Sequence, residues 1–350
     1  MAPKFLALMH IQPPITGDAA LLQLARLRLQ EAGLGGELYP GSPEHVDALL
    51  AFQPAQPCTA HLPRDINLLD KSGQDAVVAF AGNSAGKFFG LVVHDHDGFA
   101  DRVDEVVAAF RSLDKRLGEI DDAPLLFVEY AVGLELDYFV SLFEKTRELT
   151  HVSACADIGH MGIFSCRQRL AERFDGQDVC ELRLDAADLP ERIEAIQQAV
   201  WETSPIIVNM INRLTELGKP VHFHLHDGHP LSTLSLFGVS DHLSFLQKIQ
   251  IPFPYRGRQL LDGIYGPEGL NRIMHAALSG LPADKLSFTL ELHPQPGRTP
   301  LERHAYLFDH WADKTNAERM NYWLDRLIEN SILLRNAYNE HCQIKQPSFS

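Results

Sequence analysis

The sequence predicts a closed (β/α)8 TIM barrel with extra C-terminal helices, and three observations carry that expectation. Eight short, nearly continuous apolar runs recur along the chain, as expected of parallel strands covered on both faces. Stretches with the apolar spacing of amphipathic helices lie between them, which is the alternation of repeated βα units. The 350 residues, 45% hydrophobic and 22% charged, are enough for one barrel and an extension. On this reading residues 1–300 form the barrel and 301–350 a helical extension packing on it.

The elements follow in order. A first strand at 4–10 (Lys-Phe-Leu-Ala-Leu-Met-His) precedes a helix at 18–32, whose Leu21, Leu22, Leu24, Ala25, Leu27 and Leu29 end at Gly33, a residue suited to a helix C-terminus. Strands at 36–39, 58–62 and 90–95 come next, then a helix at 100–117, a strand at 125–130, a helix at 134–147 and a strand at 150–156. A helix at 189–217, a strand at 220–226, a helix at 267–279 and a strand at 286–292 complete the eight units. The tail from 301 to 345 adds two helices, with Trp311, Trp323 and Leu324 available for packing. An open doubly wound sheet is the competing topology. It lacks its usual support, since no Gly-x-Gly-x-x-Gly follows the first strand and no Walker-type phosphate loop is present.

The formal net charge of −15 repels polyphosphate and argues against non-specific nucleic-acid binding, and a small-molecule substrate is the expected partner. Five scattered cysteines, Cys58, Cys155, Cys166, Cys180 and Cys342, form no C-x-x-C pair and read as free thiols of a reducing cytoplasm. The apolar run at the N-terminus is too short for a signal peptide, and no stretch approaches about 18 apolar residues, which argues against a membrane span.

The chain holds 17 histidines, and their placement points to chemistry. In a (β/α)8 barrel the active site lies at the C-terminal ends of the strands. Here those ends carry His10, His61, His94 with His96, Glu129, Asp157 with His160, the run His222, His224 and His226 with Asp227, and Glu291. A single histidine there is more often structural than a ligand. A carboxylate inside an apolar strand differs: burying Glu129 after Leu-Leu-Phe-Val or Glu291 after Ser-Phe-Thr-Leu costs several kcal/mol unless a cation or hydrogen bonds compensate. His222, His224 and His226 share one strand face, and one ligand is expected among them. Imidazole plus carboxylate without thiolate suits Zn²⁺, Mn²⁺, Co²⁺ or Fe²⁺, with Mg²⁺ also open, and one to three ions.

Taken in order, Ala60-His61-Leu62-Pro63-Arg64-Asp65-Ile66-Asn67-Leu68, Val128-Glu129, Asp157-Ile158-Gly159-His160, His224-Leu225-His226-Asp227 and Leu290-Glu291 resemble the xylose isomerase-like TIM-barrel superfamily, which includes sugar epimerases and endonuclease IV. The resemblance implies a four-ligand metal site of Glu129, Asp157, His224 and Glu291, with Glu129 and Glu291 also able to act as bases. It implies that His160 touches substrate or a further metal, and that His61, His94, His160, Asp241 and His242 supply additional ligands. The chain departs from the pattern at Ser240-Asp241-His242, where the aspartate is displaced by one residue. It departs again at Gly228-His229-Pro230-Leu231, where many epimerases place an arginine.

Two activities fit these residues. The first is a metal-dependent isomerase or epimerase of a small sugar, polyol or sugar phosphate, in which Glu129 and Glu291, with His160, move the proton. The second is a multinuclear zinc hydrolase of a phosphoester, favoured by the histidine count. A non-catalytic metal-binding barrel is the third reading. Arg64, His96, His226, Arg256 and Arg298 are the candidate substrate contacts, and Phe245, Phe253, Tyr255 and Phe288 offer apolar walls. Leu- and Ile-rich faces at 189–217 and 320–337 serve outer packing or a homo-oligomer interface alike.

Overall fold

The structure, a computed structural model, describes residues 2–8, 19–51, 57–179, 186–230, 242–246, 249–255, 258–292 and 317–344. Eight parallel strands close into a barrel in the order β1-β10-β7-β6-β5-β4-β3-β2. They are β1 (Lys4–Leu8), β2 (Gly35–Leu38), β3 (Cys58–His61), β4 (Gly90–His94), β5 (Leu125–Glu129), β6 (Val152–Asp157), β7 (Val221–Leu225) and β10 (Leu286–Leu290). Two further strands, β8 (Ile249–Tyr255) and β9 (Arg258–Leu261), form a separate antiparallel pair. The helices are α1 (Ala19–Glu31), α2 (His45–Leu50), α3 (Lys71–Ser84), α4 (Val103–Leu117), α5 (Leu136–Glu144), α6 (Ile158–Arg173), α7 (Leu189–Glu216), α8 (Gly266–Gly280) and α9 (Ala317–Ile344).

All eight expected barrel strands are present, and their ends fall within a few residues of the expected bounds. Gly33, at φ 68°, follows α1 in the left-handed conformation that a non-glycine residue adopts only with strain. Five elements, α2, α3, α6, β8 and β9, escaped the sequence pattern. Gly73 within α3 and Gly159 and Gly162 within α6 blur those helical signals, and the two prolines of Ile249–Tyr255 read as loop.

The chain divides into two compact units: Met1–Asp157, Arg213–His224 and Leu281–Leu290 in the first, and Ile158–Asn212, Leu225–Gly280 and Glu291–Ser350 in the second. The first has its core in the strands. Phe288 stacks between Phe5 and Phe223, with ring centroids 6.0 and 5.0 Å away, and Val92, Phe127 and Cys155 pack together. Phe288 is therefore a core residue and not a wall for substrate, at 0% exposure.

In the second unit α8 packs against α9. Buried Asn330 of α9 accepts from the Phe245 N–H at 3.0 Å and donates to Ser244 Oγ at 2.7 Å. Trp323 donates its indole N–H to Leu292 O at 2.8 Å. Phe245 is likewise core, and Leu324 is fully buried. Of the two helices expected between 301 and 345 the described residues hold one, α9; Trp311 lies outside the described residues. Cys58, Cys155, Cys166 and Cys342 are free thiols, and Cys180 lies outside the described residues. No helix among the described residues is long and apolar enough to cross a membrane.

Candidate metal centre

The strand register assembles the first unit's site. Parallel pairing sets His94 beside Glu129 across β4 and β5, and Asp157 beside His224 across β6 and β7, so each pair shares a face. His61 ends β3 and brings its Nε2 to 2.9 Å from Glu129 Oε2. His94 Nε2 lies 3.5 Å from the same oxygen, and His224 Nδ1 lies 3.4 Å from Glu129 Oε1 and 3.9 Å from Asp157 Oδ2. Apart from His94, at 12%, these side chains are 3% exposed or less.

Two donor groups share one carboxylate. His61, His94 and Glu129 form one; Glu129, Asp157 and His224 belong to the other, and within each the ligand atoms lie within 4.8 Å of one another. Such a concentration of imidazole and carboxylate donors, without an Arg or Lys among them, fits a divalent cation. These groups could hold a metal ion.

The hydrogen bonds also set tautomers. A carbonyl only accepts, so the contact of His61 Nδ1 with Leu62 O at 3.2 Å places a proton on Nδ1 and turns Nε2 toward Glu129. This is the arrangement of a metal-binding histidine held from behind. Burial opposes the charged form of His61, but the Glu129 charge outweighs it and holds the imidazole above its usual pKa. Burial likewise pushes the Glu129 carboxyl up, and the charges of His224, His94 and His61 outweigh it, leaving Glu129 well below the ordinary carboxylate range.

A cation taking His61 Nε2 must displace its proton. Metal uptake should therefore release a proton at pH values below the raised value of His61, and affinity should climb with pH until that value is passed. Calorimetric titration in two buffers of different ionisation enthalpy reads this directly. Identical heats in both buffers at pH 6 would contradict the assignment.

The second unit carries its own cluster. His160, in the first turn of α6, lies with its Nε2 3.0 Å from His242 Nε2, and the His226 ring centroid is 3.9 Å from that of His242. The ligand atoms of His160, His226 and His242 lie within 4.8 Å of one another, and all three are buried. His226 Nδ1 contacts Asp227 O at 2.9 Å, which again directs Nε2 away from the backbone. The Asp227 carboxylate accepts N–H groups from Gly228, Tyr265 and Gly266 and so pins the start of α8. Burial pushes its pKa up to about 6.

Gly159 is required by this packing, because a Cβ there would lie 2.0 Å from the His226 ring. Gly159→Ala should dislodge His226, at a cost of about 1–3 kcal/mol for the overpacked site. A melting curve together with the histidine NMR signals checks it, and an unmoved His226 resonance would contradict it.

Glu291 directly follows β10, is 4% exposed, and its N–H donates to Leu225 O at 3.0 Å. His96 is half-exposed and accepts the Gly98 N–H in the turn at 97–99, while Arg64 is exposed in the turn after β3. His10, Asp241, Arg256 and Arg298 lie outside the described residues, and the side chains of Phe253 and Tyr255 are not described.

Sequence reasoning passed over Glu37. This carboxylate in β2 is fully buried, and it touches His222 and His224. The one signal was a charged residue inside the short strand Gly36-Glu37-Leu38. His222 bonds Ser287 and Glu37, and it shares the Glu37 carboxylate with His224. No protein-family model and no curated protein matches this chain.

Proposed function

We propose that the chain is a multinuclear, divalent-metal-dependent hydrolase of a small phosphoester. The observation that carries this reading is the sharing of Glu129 by two donor groups, since a carboxylate common to two sets of ligands suits a pair of ions rather than one. His61 and His94 would hold the first, and Asp157 and His224 the second, with Glu129 between them. Glu291 enters the proposal through the sequence resemblance to the xylose isomerase-like superfamily alone. A bound ion pair would acidify water and offset charge on the leaving oxygen.

The protein's own residues supply the setting. Burial lowers the local dielectric and strengthens every charge interaction there. The Leu62 carbonyl keeps His61 in its ligating tautomer, and His94, the most exposed of the five, marks the side open to solvent. The net charge of −15 favours a small substrate over a nucleic-acid backbone.

The second reading is the isomerase or epimerase of a small sugar or polyol. The set of Glu129, Asp157 and His224, with Glu291 from the resemblance, is sufficient for the single ion that such proton transfer needs. It is placed second because Glu129 would have to exchange a substrate proton while enclosed by three imidazoles.

Metal content and turnover decide between them. Protein purified without chelator should carry two or more ions per chain by plasma mass spectrometry and hydrolyse aryl phosphate mono- or diesters. One ion per chain, with deuterium incorporated from solvent into a sugar or polyol and no phosphoester cleaved, would overturn the hydrolase and support the isomerase.

A further inference from the structure

The chain leaves β5 directly after Glu129, and a buried side chain at the neighbouring strand end grips it there. Asp95 follows His94 at the end of β4 and is 3% exposed. Its N–H donates to Glu129 O at 2.8 Å, which carries the β4–β5 pairing one bond past the paired residues His94 and Glu129. Its Oδ1 accepts the Ala131 N–H at 2.9 Å and the Val132 N–H at 2.8 Å. One residue thus binds the backbone on both sides of Tyr130.

Strand pairing alone would not reach this segment. The Tyr130 N–H donates to Cys155 O at 3.1 Å on the β6 side, and the chain then turns through Gly133, at φ 82°, toward α5. The Tyr130 hydroxyl closes the turn on Leu134 O at 2.7 Å. The Ala131 and Val132 N–H groups fall beyond the ladder, and Asp95 is the acceptor that satisfies them. A carboxyl group accepts at Oδ1 whether or not Oδ2 carries a proton, so this clamp does not depend on the ionisation of Asp95.

We infer that Asp95 is a positioning residue for the metal centre: by clamping the backbone on both sides of Tyr130 to the end of β4, it fixes where Glu129 presents its carboxylate beside His94. Glu129 is the donor common to both ligand groups, and metal–ligand distances tolerate only about 0.2 Å, so a small shift of this strand end is felt in both. This role rests on the metal-binding part of the functional reading and is independent of the reaction. Loss of groups that orient metal ligands weakens affinity by about 10–100-fold in general.

Three substitutions in the full chain separate positioning from folding. Asp95→Asn keeps an acceptor oxygen at the clamp, and Asp95→Ala removes it. Thr146→Val is the control for plain loss of stability, since Thr146 is fully buried, donates its hydroxyl to Leu142 O at 2.7 Å, and lies ahead of β6, whose far end carries Asp157. In titrations with Zn²⁺ or Co²⁺ against a competing chelator, Asp95→Ala should bind about 10–100-fold more weakly than wild type, with a changed Co²⁺ visible spectrum. Asp95→Asn and Thr146→Val should keep wild-type affinity and spectrum. In metal-free protein, amide hydrogen exchange at Ala131 and Val132 should be slow in wild type and Asp95→Asn and fast in Asp95→Ala. The NMR signals of the His61 ring, which is 2.9 Å from Glu129, should move in Asp95→Ala alone.

Fast exchange at Ala131 and Val132 in wild type would overturn the proposal without recourse to any variant. So would an Asp95→Ala variant that binds metal as tightly as wild type or leaves the His61 signals in place. Equal weakening by Thr146→Val would overturn it as well, because affinity would then follow stability, and an Asp95→Asn variant as weak as Asp95→Ala would remove the acceptor oxygen as the cause. If wild type takes up neither zinc nor cobalt, the functional reading fails, while the exchange rates and the His61 signals still decide whether Asp95 sets the place of Glu129.

Discussion

Replacing Glu129 by Gln should lower kcat/KM by at least about 10³-fold, which is about 4 kcal/mol at 1.4 kcal/mol per factor of ten. The amide keeps the shape of the side chain but removes the charge that His61, His94 and His224 surround. Metal should be lost from both donor groups together, because Glu129 is common to them. The metal-free protein should also change its acid behaviour. The Glu129 carboxyl lies below its unfolded value, so its contribution to stability is complete above the ordinary carboxylate range and is lost as pH falls through the folded value. The Gln variant should therefore show a flatter loss of stability in acid, read by denaturant titration across pH 3–7. Full activity with full metal content in Glu129→Gln would remove this carboxylate from the centre.

His61→Ala and His94→Ala give the second large effect and the sharper discrimination. Each should cost one ion per chain and lower turnover by about 10²–10³-fold, of the order seen when a single electrostatic contributor is removed from an active site. Asp157, His224 and Glu129 remain in both variants, so the other ion should stay. A one-metal proton-transfer enzyme would be nearly indifferent to the same changes. Metal content by plasma mass spectrometry and turnover measured on one preparation separate the outcomes, and unchanged values for both variants would sink the two-ion reading.

Much of the fold was legible because a parallel strand buried on both faces needs a nearly continuous apolar run. Leu125-Leu126-Phe127-Val128 and Leu286 to Leu290 have that character, and the charged residues that follow them, Glu129 and Glu291, stand out against it. Asp157, His224, His61 and His94 were legible in the same way, as residues at strand ends. The β8–β9 pair was hidden because prolines in Ile249–Tyr255 suppress a strand signal that an isolated antiparallel pair tolerates. The helix from Ile158 begins directly after Asp157 without a loop, and its glycines mask the period.

By itself the sequence determined which residue types reach the strand ends and that they are acidic and imidazole donors without thiolate, because strand length and alternation are local properties. Their partition was decided only in three dimensions. His222, His224 and His226 are equivalent by spacing, yet one bonds Glu37 and Ser287, one faces Glu129 and Asp157, and one packs on His160 and His242. Glu37 belongs to this layer although its sequence neighbours carry no such chemistry. The physical reason is that closing the barrel pairs residues distant in the chain, with Glu37 meeting His222 across 185 positions, and a side chain's proton is assigned by the atom it faces rather than by its place in the chain.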